Sequence, residues 1–174
     1  LQNWDFLSSL INLQTLEAYQ DYSYYDSTHK LPDLISLTAL HSAEFSRMSH
    51  DYLLGLSDNP SIVILKLSQF DGEDLSSLAN LLTLENLEIG SANSLKSADD
   101  LVSLVNLKKL VLERSSSLKV FPELAALTRL KYLNLHNLAL ESLDFLRDMS
   151  SLKSLDVEHS YYLTCKALTD FSEA

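Results

Sequence analysis

Glu113, His136 and Glu158 stand 23 and 22 residues apart, so a chain that repeats at that interval would stack an imidazole between two carboxylates. A histidine so placed is expected to hold its proton more tightly than a free one, because nearby negative charge favours the cation. Histidine and carboxylate are also metal ligands. The spacing favours an exposed charge ladder, or a contact for a basic partner, over a metal centre; no metal or cofactor is expected. Other reactive residue types are less well placed. Asp71-Gly72-Glu73-Asp74 lacks the ligand spacing of a calcium loop and reads as an exposed turn, with Asp74 as a helix N-cap. Asp99-Asp100 reads the same way. Cys165 is the one cysteine; it has no internal disulfide partner and reads as a buried filler. The chain contains no Gly-rich phosphate loop, no Gly-x-Ser-x-Gly and no His-Glu-x-x-His. An enzyme is not expected.

The elements that would position these side chains follow from one pattern, Leu-x-x-Leu-x-Leu, found seven times. Its first apolar position falls at Leu13, Leu37, Ile62, Leu84, Leu107, Leu130 and Leu152, at gaps of 22 to 25 residues. The second position is Leu16, Leu40, Leu65, Leu87, Leu110, Leu133 and Leu155, and the third is Ala18, Ser42, Leu67, Ile89, Leu112, Leu135 and Val157. From the second position onward apolar and polar residues alternate, as in a strand with one buried face. Apolar residues at intervals of three, such as Phe121, Leu124, Leu127 and Leu130, predict a helical or 3-10 return segment. Stacking such units buries a continuous core.

A period of 20 to 29 with this core resembles the leucine-rich repeat family, and the resemblance covers almost the whole chain. It implies an α/β solenoid: a right-handed arc with a parallel β-sheet on the concave face and short helices or 3-10 turns on the convex face. The family usually places Asn three residues after the third apolar position. Here that column reads Asp21, Phe45, Phe70, Ala92, Ser115, Leu138 and Ser160, so the asparagine ladder is missing. Serine, or a one-residue extension as in Ser91–Leu95 and Arg114–Leu118, is expected to satisfy those turns. Such Ser-rich turns are similar to repeats in plant immune receptors and in some bacterial leucine-rich proteins.

Residues 1–174 read as a single repeat domain, with only three Gly and three Pro and no linker. Leu1–Leu7 aligns with Leu140–Leu146, so the chain begins in mid-repeat. With no cap evident at either end, it is expected to be part of a longer protein. Irregular stretches at 20–30 and 46–61 account for the longer gaps. The first is rich in tyrosine (Tyr19, Tyr22, Tyr24 and Tyr25), which suits either a contact surface or a cover over the first repeats.

The resemblance implies recognition through outward strand positions, arranged in three columns. Thr15, Ala39, Ile64, Asn86, Lys109, Tyr132 and Ser154 form the first. Glu17, His41, Lys66, Glu88, Val111, Asn134 and Asp156 form the second. Tyr19, Ala43, Ser68, Gly90, Glu113, His136 and Glu158 form the third. Tyr19, Ile64, Val111 and Tyr132 are candidate anchors. The candidate partner-binding set adds His41, Lys66, Glu88, Lys109, Glu113, Asn134, His136, Asp156 and Glu158. A net charge of -11 argues against nucleic acid, whose phosphates need Lys and Arg. The expected partner is another protein with a basic or neutral patch. No stretch of about 18 apolar residues could span a membrane. With no disulfide-bonded caps and no Asn-x-Ser/Thr sequon, an intracellular or bacterial setting is favoured over an extracellular one. The alternatives to recognition are a structural spacer in a larger receptor or effector, or an inhibitory, immunity-type subunit.

Overall fold

The computed structural model describes residues 4–19, 31–48 and 50–159. Seven strands form one sheet in chain order: β1 (Thr15–Tyr19), β2 (Ser42–Ser46), β3 (Ile64–Ser68), β4 (Asn86–Gly90), β5 (Lys109–Glu113), β6 (Tyr132–Asn134) and β7 (Ser154–Asp156). Every neighbouring pair is parallel, and each strand is hydrogen-bonded only to the strands before and after it in sequence. Short return segments lie between them: 3-10 turns at Asp5–Ser9, Leu54–Leu56, Ser76–Leu78, Asp99–Ser103 and Asp144–Leu146, and one α-helical turn, α1 (His50–Leu53).

The core is a stack of leucine columns. One runs Leu7, Leu34, Leu56, Leu78, Leu101, Leu124 and Leu146, all buried. The next runs Leu37, Leu81, Leu104 and Leu127, with Asn59 in the place of a leucine in the third repeat. The strands add Leu65, Leu87, Leu110 and Leu133, and then Leu67, Ile89, Leu112 and Leu135. Position Leu7 matches Leu146, as the alignment of Leu1–Leu7 with Leu140–Leu146 requires.

The second repeat is framed differently from its sequence reading. Ser42 pairs with Thr15 and with Ile64, so its three apolar positions are Leu40, Ala43 and Phe45, not Leu37, Leu40 and Ser42. The first two gaps are therefore 27 (Leu13 to Leu40) and 22 (Leu40 to Ile62), not 24 and 25. The extra residues all belong to the first repeat; 46–61 is no insertion, and within it His50–Leu53 form α1 and Leu54–Leu56 the turn after it. The ambiguity has a physical source. Leu34, Leu37 and Leu40 recur at threes, so the leucine pattern fits in two frames. Only the small Ala43 beside the large Phe45, both fully buried, fills the layer in the correct one.

The turn after each strand is also built in an unexpected way. With repeat two reframed, the column that carries asparagine in the family holds Met48, Phe70, Ala92, Ser115 and Leu138 among the described residues, all buried. In the two extended turns the Leu95 N–H donates to the Ala92 carbonyl (3.1 Å), the Leu118 N–H to the Ser115 carbonyl (3.3 Å) and the Ser117 hydroxyl to the Asn93 carbonyl (2.6 Å). The Ser115 hydroxyl is buried without a hydrogen bond among the described residues. In addition, six repeats each carry one left-handed residue among the described residues: Arg47, Gln69, Ser91, Arg114, Asn137 and His159, with φ between 55 and 61°. Five of these bond the following repeat through their N–H groups. Arg47 donates to the Ser68 carbonyl (2.7 Å), Gln69 to Gly90 (2.7 Å), Ser91 to Glu113 (2.8 Å), Arg114 to His136 (3.1 Å) and Asn137 to Glu158 (2.9 Å). None of the six is glycine, so each carries a backbone cost of about 1–2 kcal/mol. Exposed Arg114 tests this: Arg114→Gly is expected to be neutral or stabilising by up to about 1 kcal/mol, and Arg114→Val destabilising by about 1–2 kcal/mol. Denaturant midpoints ranked the other way round would contradict the account.

Asp74 does not cap a helix. Its Oδ1 accepts from the Ser76 hydroxyl (2.7 Å) and the Ser76 N–H (3.1 Å), a local turn two residues on. Those two bonds, with His50 nearby, hold the Asp74 carboxyl below its usual range despite some desolvation. At Ser97-Ala98-Asp99 and Ser142-Leu143-Asp144 the serine hydroxyl makes the equivalent turn by accepting the aspartate N–H (3.1 and 3.0 Å).

Candidate functional site

The outward strand positions stand in register across the sheet. In the first column Thr15, Ser42, Ile64, Asn86, Lys109, Tyr132 and Ser154 pair in turn; Ser42, not Ala39, is the second-repeat member. In the second, Glu44 stands between Glu17 and Lys66 where His41 was expected. His41 instead lies just ahead of β2. Its N–H donates to the Gln14 carbonyl (2.9 Å), and its own carbonyl accepts from Val63 (2.9 Å) and Ile64 (3.1 Å). In the third, Ser46 replaces Ala43, which is in fact buried in the core. Tyr19, Ile64, Lys66, Glu88, Lys109, Val111, Glu113, Tyr132, Asn134 and Asp156 occupy the columns assigned to them, while His136 and Glu158 lie two residues past the ends of β6 and β7.

The strand pattern explains why these side chains face out. In β4 and β5 the buried residues alternate with half-buried ones, so Glu88, Lys109, Val111 and Glu113 share the face opposite the leucines. Tyr132 on β6 is 52% exposed and Tyr19 on β1 is 65% exposed, while Ile64 is half-buried. A shallow hollow of about 370 Å³ lies between β4 and β7. Glu88, Lys109, Val111, Tyr132, Asn134 and Asp156 contribute to its walls, with Glu113 and Ser154 at the edge of the same set.

Charges on this face are arranged rather than scattered. Lys109 Nζ meets Glu88 Oε1 at 2.6 Å, and Lys66 Nζ meets Glu44 Oε2 at 4.0 Å. Just before the strands, Lys108 pairs with Glu85 at 2.7 Å. These exposed pairs add little stability, but they hold the lysines against the acidic side chains. At the first repeats the Tyr19 hydroxyl donates to Glu17 Oε2 (3.2 Å). That hydrogen bond first, and then the Glu17 charge, raises the phenol above its usual range. Tyr22, Tyr24, Tyr25 and Cys165 lie outside the described residues.

Of the expected Glu113–His136–Glu158 ladder, His136 and Glu158 come together, with His159, which the sequence pattern did not single out, as the third member in place of Glu113. His136 and His159 pack with ring centroids 4.9 Å apart and planes at 52°. Glu158 completes a group whose ligand atoms all lie within 4.8 Å of one another. His159 escaped a strand-based reading because it sits in the left-handed turn, one residue past the third column.

No protein-family model matches the sequence, and comparison with curated proteins finds no match. Solved structures are similar in fold. A leucine-rich repeat protein of Leptospira interrogans superposes with a TM-score of 0.72 at 22% identity, over 89% of this chain and 39% of that one. Internalin C2 of Listeria monocytogenes superposes with a TM-score of 0.61 at 20% identity, over 87% of this chain and 74% of that one. This chain thus spans less than half the length of the first. The seven-strand parallel sheet, its leucine columns and these structural likenesses agree: the chain has the leucine-rich repeat fold.

Proposed function

We propose that the chain is a non-enzymatic protein-recognition module that seats its partner on the outward face of the sheet. The observation that carries this reading is the hollow between β4 and β7, where a half-exposed Tyr132 stands beside Val111 and is ringed by Lys109, Glu88, Asn134 and Asp156. An aromatic anchor with a polar surround is the usual composition of a binding hot spot. A parallel sheet also presents these groups rigidly, which lowers the entropy cost of binding.

Charge indicates the kind of partner. At outward positions of the described strands and their immediate ends stand Glu17, Glu44, Glu88, Glu113, Asp156 and Glu158, against Lys66 and Lys109. Both lysines already face glutamates. A partner carrying Lys or Arg therefore fits better than an acidic one, and its association should weaken as salt rises.

Affinity capture from the native lysate at low and moderate salt tests the proposal, comparing wild type with a Val111→Asp/Tyr132→Ala variant that keeps its circular dichroism spectrum. A partner held by wild type is expected to be lost from the variant, with affinity down roughly tenfold or more. If both forms hold the same partner equally, the face is not the site, and a structural spacer within a longer protein becomes the better account.

A further inference from the structure

We propose that His136, Glu158 and His159 form a binding site for a divalent transition-metal ion of the zinc class, at the β7 end of the sheet face. The site borders the hollow around Tyr132, since Asn134 and Asp156 line that hollow and also hold the backbone of His136 and Glu158, but it does not depend on that surface binding a protein. Two imidazoles and one carboxylate are a donor set that zinc accepts. Their ligand atoms lie within 4.8 Å of one another. Zinc held by arms of 2.0–2.2 Å at a tetrahedral angle needs its ligands about 3.4 Å apart, so side-chain rotation of roughly an ångström closes the set.

Two repeats build the site from equivalent parts. The His136 N–H donates to Asn134 Oδ1 (3.0 Å), and the Glu158 N–H donates to Asp156 Oδ1 (3.0 Å). The same side-chain turn therefore fixes the backbone under both ligands. The Asn137 N–H donates to the Glu158 carbonyl (2.9 Å) and locks the two repeats together at that level. His159, at φ 60°, is turned by its left-handed backbone beside the His136 ring. A left-handed residue in each repeat is this fold's general device; a histidine in that position next to a histidine of the previous repeat occurs only here among the described residues. The Glu158 carboxylate offsets part of the ion's charge. Glu158 and His159 are exposed, so the fourth coordination position opens to solvent and is available to water or to a side chain of a docked protein.

Calorimetric titration of the whole chain with Zn²⁺, with Mg²⁺ as the control, tests the site. One saturable equivalent of Zn²⁺ and none of Mg²⁺ is expected. Binding should weaken roughly 100-fold in His136→Asn and in His159→Asn, as loss of a direct ligand exceeds the usual effect of losing its support, and should be unchanged in His41→Asn. His41 and His159 are exposed and His136 is half-buried, and circular dichroism establishes that each variant is folded. In the ring NMR signals, Zn²⁺ should move His136 and His159 and leave His41 in place. Absence of saturable binding, a loss below tenfold in either ligand variant, or an equal loss in His41→Asn would overturn the proposal.

Discussion

Truncating Leu110 to alanine is expected to cost the repeat array about 3–5 kcal/mol, read as a fall in denaturant midpoint with little change in slope. Leu110 is fully buried on β5 and pairs in register with Leu87 on one side and Leu133 on the other. Both neighbours are themselves packed on two sides, so the layer has little freedom to collapse into the space left behind. A residual cavity adds its own cost to the lost transfer free energy. The same change at the same sequence position of the last described repeat is the control. Leu155 is 41% exposed, and Leu155→Ala should cost less than about 1 kcal/mol. Equal losses at the two positions would mean that stacking on both sides is not what makes the leucine column stabilising.

Replacing Asn59 with leucine, the residue that its column otherwise favours, is expected to destabilise by about 2–3 kcal/mol rather than to improve the repeat. In the other six repeats the turn before the strand closes through a backbone bond to the first apolar residue: Leu13 to Leu10, Leu40 to Leu37, Leu84 to Leu81, Leu107 to Leu104, Leu130 to Leu127 and Leu152 to Met149. In the third repeat Pro60 follows Asn59, and a residue before proline is pushed toward extended backbone. The Asn59 side chain takes over the missing role. Its Oδ1 accepts from Ile62 N–H (3.2 Å) and Ser61 N–H (3.0 Å), while its Nδ2 donates to the Leu34 carbonyl (2.8 Å). Leucine would remove all of these while the proline constraint stays. The double change Asn59→Leu/Pro60→Thr should therefore recover most of the loss by restoring the backbone turn. If the single change alone is neutral in thermal unfolding, proline is not what calls for asparagine here.

The leucine columns made most of the architecture legible before any coordinates. Six of the seven strands fall where the alternation puts them, and the return segments follow the apolar intervals of three. The second repeat was misframed because a convex Leu34-Leu37-Leu40 run imitates the strand motif, while the true strand carries Ala43 and Phe45 in place of leucines. Side-chain volume, not pattern, settles that register, and volume complementarity is a property of the packed layer. The face was equally legible wherever the frame was right: Tyr132, Val111, Lys109 and Asn134 stand together as the columns require. His41 left the face with the misframed repeat. The left-handed ladder had little signal, since Arg47, Gln69, Ser91 and Arg114 are not of types that announce positive φ and only Asn137 and His159 are. His159 was missed because it lies one residue past the outward columns of the strand pattern.

Because each strand bonds only to its sequence neighbours, no contact ties β1 to β7 across the sheet. Opening one end then costs a single interface and leaves the rest of the stack intact. Amide hydrogen exchange should accordingly rank the strands by distance from the ends, slowest at β4 and next at β3 and β5, rather than report one global opening event. The sheet behaves as a zipper. A ligand that bridges two adjacent teeth, or a partner that lies across several, would tighten the frayed end it covers and leave the middle unchanged.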